Sequence, residues 1–237
     1  MISATKSPWQ DRVRKQLRTA GSYFILYATA LGLSIPIIWI LLSSLKTEPE
    51  FITWPPVILP DPPQWANYVH ALTWIPYFKF AWNSTFLSTM FATLTVITSA
   101  MVGFAFARLD APGKGKLFAI VIALLMVPAI VTIIPQFVVF SRIRITNTYW
   151  PWFLWGIAAS PFHIFLFRQF FTSIPRDLED AAEVDGANPF RVFWQIFLPN
   201  AKPALATSFI LNFVFVWGDW FAPIIYLNDA KTTLAVK

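Results

Sequence analysis

The residues of this 237-residue chain that could do chemistry are few. Asp219, in the run FVFVWGDWFAPIIYL, is the one carboxylate well inside an apolar stretch. Ionisable groups at depth in hydrocarbon are costly, so function is the default reading of such a residue. Trp217 and Trp220 flank it, and aromatic rings beside a polar group can face a sugar ring or build a gate. The competing reading is that Asp219 lies toward the outer end of its stretch and reaches water. Asn212, seven residues earlier on the same helix face, would extend a polar stripe. His163, in SPFHIFLF, reads as hydrogen-bonded to a neighbouring helix, and His70 has no partner pattern around it. With no cysteine and no HExxH, neither disulfides nor a metal site is expected. Gly113-Lys114-Gly115-Lys116 fails as a phosphate loop, which needs Gly, four residues, Gly-Lys and then Ser or Thr after a soluble strand. The chain therefore carries no ATP-binding motif, and neither catalysis nor a cofactor is expected of it.

Charge gathers at a different place. Between Pro175 and Pro199, PRDLEDAAEVDGANPFRVFWQIFLP forms a polar island between apolar runs, with five acids (Asp177, Glu179, Asp180, Glu183, Asp185) inside nine positions. Two short helices are expected there. Pro175 can open the first, whose acidic first turn suits the positive end of the helix dipole. Gly186 can close it in the left-handed conformation. Asn188 caps the second, with Pro189 at its first position. Phe190, Phe193, Trp194 and Phe197 then follow at i, i+3, i+4 and i+7, giving one apolar face. So rigid a connection reads as a docking element.

This stretch resembles the coupling loop of permease subunits in binding-protein-dependent ABC importers. That family's pattern is Glu-Ala-Ala, three residues, Gly, nine residues, then Ile-x-Leu-Pro. Asp180, Ala181, Ala182, Gly186, Ile196, Leu198 and Pro199 fall on its seven positions, with Asp180 in place of Glu. The segments SLKTEPEF, NYVHAL, FAFARLDAPGKGKLF and MVPAIVTIIPQF are similar to the maltose-type carbohydrate subfamily. The resemblance implies a loop seated in a groove of a cytoplasmic ATPase, with Ala181 and Ala182 letting the backbone approach that groove. It also implies two ATPase copies, a sister permease forming a heterodimer, an external solute-binding protein, and import of a sugar or oligosaccharide. In the family the sister subunit is the main sugar-contacting one.

Composition places the chain in a lipid bilayer: 57% of residues are hydrophobic, with 12 Trp and 24 Phe, and the mean hydropathy is +0.57. The expected architecture is an all-α, polytopic membrane helix bundle with five spans, at about 23–42, 82–107, 117–140, 149–171 and 203–227, and the coupling loop at 175–199. The whole chain, 1–237, reads as one transmembrane domain. Pro36 is expected to kink the first span. Pro128 and Pro135 break the third, either bordering a pathway or simply kinking it. Residues 43–81, rich in Pro and Trp, read as an ordered irregular loop with interfacial anchors. The family has six spans, so this chain is expected to lack the last.

The net charge of +6 is read as facing anionic lipid rather than nucleic acid. With the amino terminus inside, Lys6, Arg12, Arg14, Lys15, Arg18, Arg108, Lys114, Lys116, Arg168, Arg176, Arg191 and Lys202 are cytoplasmic, twelve of eighteen basic residues. That orientation puts the coupling loop in the cytoplasm of a prokaryotic cell, below its inner membrane. Three alternatives compete: import of a non-sugar solute such as glycerol phosphate, a membrane-embedded enzyme, and a secondary transporter. An enzyme would need acid–base groups converging at one depth, and a secondary transporter would need paired broken helices in matching halves.

Overall fold

A computed structural model describes residues 8–237; Lys6 lies outside them, as does the side chain of Arg12. The described residues are all-α, without strands. Two compact units are present, Met1–Trp74 and Ile75–Lys237.

The first unit holds α1 (Pro8–Ser43), α2 (Glu48–Ile52) and α3 (Ala66–Trp74). Pro36 lies inside α1. A reciprocal cap starts α2: the Thr47 hydroxyl accepts from Glu50 N–H, and the Glu50 carboxylate accepts from Thr47 N–H. The Asn67 amide donates to the carbonyls of Ser44 (3.0 Å) and Lys46 (2.9 Å), fixing the loop between α1 and α3.

The second unit is built on α4 (Tyr77–Arg108). Around it follow α5 (Lys114–Leu124), α6 (Ala129–Arg142), α7 (Trp150–Ile157), α8 (Pro161–Thr172), α9 (Asp177–Val184), α10 (Pro189–Val192), α11 (Leu198–Asn200), α12 (Lys202–Trp217) and α13 (Phe221–Tyr226). A π-helical segment, Phe193–Phe197, joins α10 to α11. On α4, Ser84, Ser88, Ala92, Thr95, Ser99 and Gly103 recur at three- and four-residue spacing and are all buried. Small residues on one face let helix backbones approach closely where no water drives them together. At Gly103 a Cβ would lie 2.7 Å from the Phe167 Cβ of α8, and at Gly156 of α7 it would lie 2.8 Å from the Leu94 Cβ of α4.

Among the described residues two helices are long and apolar enough to cross a membrane, Arg14–Ser43 and Tyr77–Arg108. The expected third, fourth and fifth spans are each interrupted rather than continuous. α5 and α6 meet at 95°. Pro128 causes this, because its missing N–H and fixed φ end a helix, while Pro135 is carried inside α6. The fourth breaks where Ala159 adopts φ +60° ahead of Pro161, and the fifth breaks between Trp217 and Phe221. Backbone groups freed in this way need partners in a dry environment. The Ser160 N–H donates to Ser99 Oγ (3.0 Å), and Thr98 Oγ1 donates to the Gly156 carbonyl (2.9 Å), both from α4.

Candidate coupling loop and transport pathway

The polar island forms a helical hairpin at the Arg108 end of α4. Helix α9 begins at Asp177, with Asp177, Glu179 and Asp180 in its first turn. It ends in a Schellman turn: Ala187 N–H donates to the Ala182 carbonyl and Gly186 N–H to the Glu183 carbonyl, both at 2.9 Å, with Gly186 at φ +79°. Asn188 Oδ1 then accepts from Arg191 N–H (2.8 Å) and opens α10, with Pro189 next in sequence.

The hairpin has an inner and an outer side. Phe193 and Phe197 are buried with Phe104, Phe167, Phe171 and Ala201 in one core, and Ala182, Ala187, Ile196 and Leu198 pack against it. The outer side carries Asp180, Ala181, Glu183, Val184, Gly186 and Pro199, all exposed. Of the two alanines expected to meet a partner, only Ala181 faces outward; Ala182 packs on the chain's own core. The expected single aromatic face also divides, since Phe190 is 61% and Trp194 38% exposed. The π-helical turn at Phe193–Phe197 spreads its residues more widely than the α spacing assumed.

One cation ties the hairpin to the bundle. Arg108 Nη2 donates to the carbonyls of Phe171 (2.7 Å) and Ile174, and Nη1 lies 3.5 Å from Glu179 Oε2 on α9. The guanidinium carbon sits 4.8 Å over the Phe197 ring. Burial pushes the Glu179 carboxyl above its ordinary range, and the attraction of Arg108 only partly offsets this.

Beside the middle of α4, where Phe91 lies, Asp219 borders a cavity of about 350 Å³. Trp155, Phe215, Thr132 and Gln136 share its wall. Three interrupted spans meet there: the first turns of α6, α7 through Trp152 and Trp155, and the break before α13. Asp219 also closes that break, because Oδ1 accepts from the N–H groups of Phe221 (2.9 Å) and Ala222 (3.2 Å). A helix cap thus accounts for the carboxylate's depth alongside any role in the cavity.

The other three pathway candidates lie elsewhere. Asn212 is buried, with its amide 3.0 Å from His163 Nε2 and donating to the Ser208 carbonyl at 2.8 Å. Trp217 stacks on Phe213 at 5.6 Å, and Trp220 is exposed. Thr132, Gln136 and Trp155 were not singled out from the sequence. For Thr132 and Gln136 the sequence signal is Pro128 before α6 and Pro135 inside it, which marks a broken helix without saying which of its side chains face inward; Trp155, on α7, has no such signal.

Residues 99–235 match the family described as "Binding-protein-dependent transport system inner membrane component". The chain is 31% identical, over 89% of its own length and 70% of the other, to the diacetylchitobiose uptake system permease protein NgcG of Streptomyces coelicolor. It is also 31% identical, over 88% of its length and 76% of the other, to the sn-glycerol-3-phosphate transport system permease protein UgpE of Brucella abortus. Among solved structures, a bacterial ABC transporter involved in import of the acidic polysaccharide alginate contains a chain that superposes with a TM-score of 0.79. The match covers 99% of this chain and 81% of that one at 23% identity, a likeness of fold. With the family's match spanning the hairpin and the α12–α13 break, the chain belongs to the binding-protein-dependent transport system inner membrane components.

Proposed function

We propose that the chain is the permease subunit of an ATP-driven ABC importer for a sugar or oligosaccharide, working beside a sister permease, two copies of a cytoplasmic ATPase subunit and an external solute-binding protein. The observation that carries this reading is the hairpin, whose inner aromatic side is locked into the bundle and whose outer side is left acidic and rigid. Closure of the ATPases on ATP would push the outer side, and α9 would carry that movement into α4 and α8. Asp180, Ala181 and Gly186 are the contacts assigned to the ATPase. With the amino terminus in the cytoplasm, the Arg108 end of α4 is cytoplasmic and the Asp219 cavity lies on the external side of the hairpin, near the middle of α4. The cavity supports a sugar because it joins Trp155, a flat apolar surface, with Gln136 and Asp219 as hydrogen-bonding groups.

Purification of the chain through an amino-terminal tag, from its own membrane, tests the assembly. Recovery of an ATPase subunit and a second permease, with hydrolysis stimulated by a sugar-loaded binding protein, is the expected result. Absence of both partners would refute the reading. The relative named for glycerol 3-phosphate transport favours a second reading, a phosphorylated polyol as solute. Stimulation by a binding protein loaded with glycerol phosphate, and not by one loaded with sugar, would select it.

A further inference from the structure

We propose that Arg108 is the positioning residue that makes α4 move with the coupling hairpin, so that its loss separates ATP hydrolysis from transport without dissolving the subunit. This rests on the importer reading above. Arg108 is the last residue of α4, and α7, α8 and α12 all pack on that helix. Its side chain is only 4% exposed. Four segments converge on the one guanidinium: α4 through its own backbone, the end of α8 through the Phe171 and Ile174 carbonyls, α9 through Glu179, and the π-helical segment through the Phe197 ring.

Each contact has a physical reason. The last carbonyls of a helix lack intrahelical partners and carry the negative end of its dipole, so they accept a cation well. A planar guanidinium can serve these carbonyls with one nitrogen while turning the other toward Glu179, and it stacks on an aromatic face. A lysine ammonium is a single point charge without a planar fork to divide between the carbonyls and Glu179. The Arg108 Nε is buried without an acceptor. A group kept at such a cost is held for where it sits, not for full satisfaction of its donors. Phe197 and Ala182 would hold the hairpin by packing alone, but apolar contacts slide. The Glu179 ion pair, at 3.5 Å, adds a charged link between α9 and the guanidinium that the apolar contacts lack.

The test uses the whole transporter in proteoliposomes, with Arg108→Lys and Glu179→Gln compared to the parent chain for recovered ATPase subunit, ATP hydrolysis and solute uptake. Glu179→Gln leaves Arg108 on the α8 carbonyls and removes only the charge that pairs it with α9. The expected result is that at least one of the two variants retains the ATPase subunit and hydrolyses ATP, while solute moved per ATP falls about fivefold, within the range that residues in a coupling network command. Wild-type solute per ATP in an assembled variant would overturn the proposal. So would loss of assembly in both, which would make Arg108 a structural clamp. A parent chain that recovers no ATPase subunit would instead fail the importer reading, so the two failures are distinct.

Discussion

Gly186 offers a perturbation whose cost can be separated from its surroundings. Its φ of +79° is a left-handed conformation, and no heavy atom lies within 4 Å of where a Cβ would be. Substitution therefore meets strain in the backbone and none from neighbouring side chains. For alanine that strain is about 1–2 kcal/mol. For valine, whose branched Cβ crowds the backbone, it approaches the upper part of the ~1–3 kcal/mol range for strained residues. Asparagine, the residue other than glycine that visits this region most readily, costs less than either. Since 1.4 kcal/mol is a factor of ten, about 2 kcal/mol shifts the equilibrium against the correctly turned hairpin roughly thirtyfold. Uptake of labelled solute and ATP hydrolysis, measured together in proteoliposomes with the partner subunits, should show solute per ATP declining from Gly186→Asn through Gly186→Ala to Gly186→Val, at unchanged levels in the membrane. Wild-type uptake by the valine variant would refute the role of the corner. An asparagine variant as impaired as valine would refute the backbone reasoning, because bulk at the exposed surface would then be the cause.

Gly103→Ala should lower the thermal midpoint of the detergent-solubilised subunit, at a cost of about 1–3 kcal/mol for overpacking, because its Cβ would fall 2.7 Å from that of Phe167; Gly115→Ala, in open space, should not. Asp219→Asn preserves an oxygen that can cap α13 and should leave thermal stability near that of the parent, whereas Asp219→Ala should cost about 1 kcal/mol. Uptake falling in the asparagine variant at unchanged stability would mark the charge itself as a pathway group; unchanged uptake would leave Asp219 as a cap. Glu179 makes hairpin packing dependent on pH. Its carboxyl is raised by burial first, lowered by Arg108 from α4 and by Arg176, and raised by Glu183 and Asp180 on its own helix. A raised folded-state pKa favours the packed arrangement in acid, and that contribution is lost as pH rises through the raised value. Hydrogen exchange of Asp177–Ala187, corrected for intrinsic rates, should therefore show more protection as pH falls from neutral toward the ordinary carboxylate range, and Glu179→Gln should flatten the trend.

The hairpin was legible because its signals are local: a glycine where φ must be positive, Asn188 one residue before a proline, and acids in a first turn. None of these depends on distant chain. Arg108 was legible only as one positive charge among eighteen, since Phe171, Ile174, Glu179 and Phe197 reach it through tertiary folding. The apolar runs gave the helices but not their interruptions. Pro128 was visible as a break; the turn at Ala159 was not, because its partner groups, Ser99 and Thr98, lie on another helix. Asp219 was found because charge is rare in such stretches. Gln136, a neutral residue on α6, stood out only once the walls of the cavity were in place.

The dependence of the interrupted helices on α4 bears on how the subunit is made. A helix needs about 20 apolar residues to cross the hydrocarbon layer unaided. The pieces α5, α6, α7, α8, α12 and α13 have between 6 and 16 residues each. Their broken ends would meet lipid with bare peptide groups if they entered alone. Ribosomal synthesis delivers α4 first, already lined with the hydroxyls of Thr98 and Ser99 that receive the α7–α8 break. α4 thus serves as an internal scaffold for biogenesis, and mutations on its hydroxyl face should act during insertion, before any solute or nucleotide is encountered.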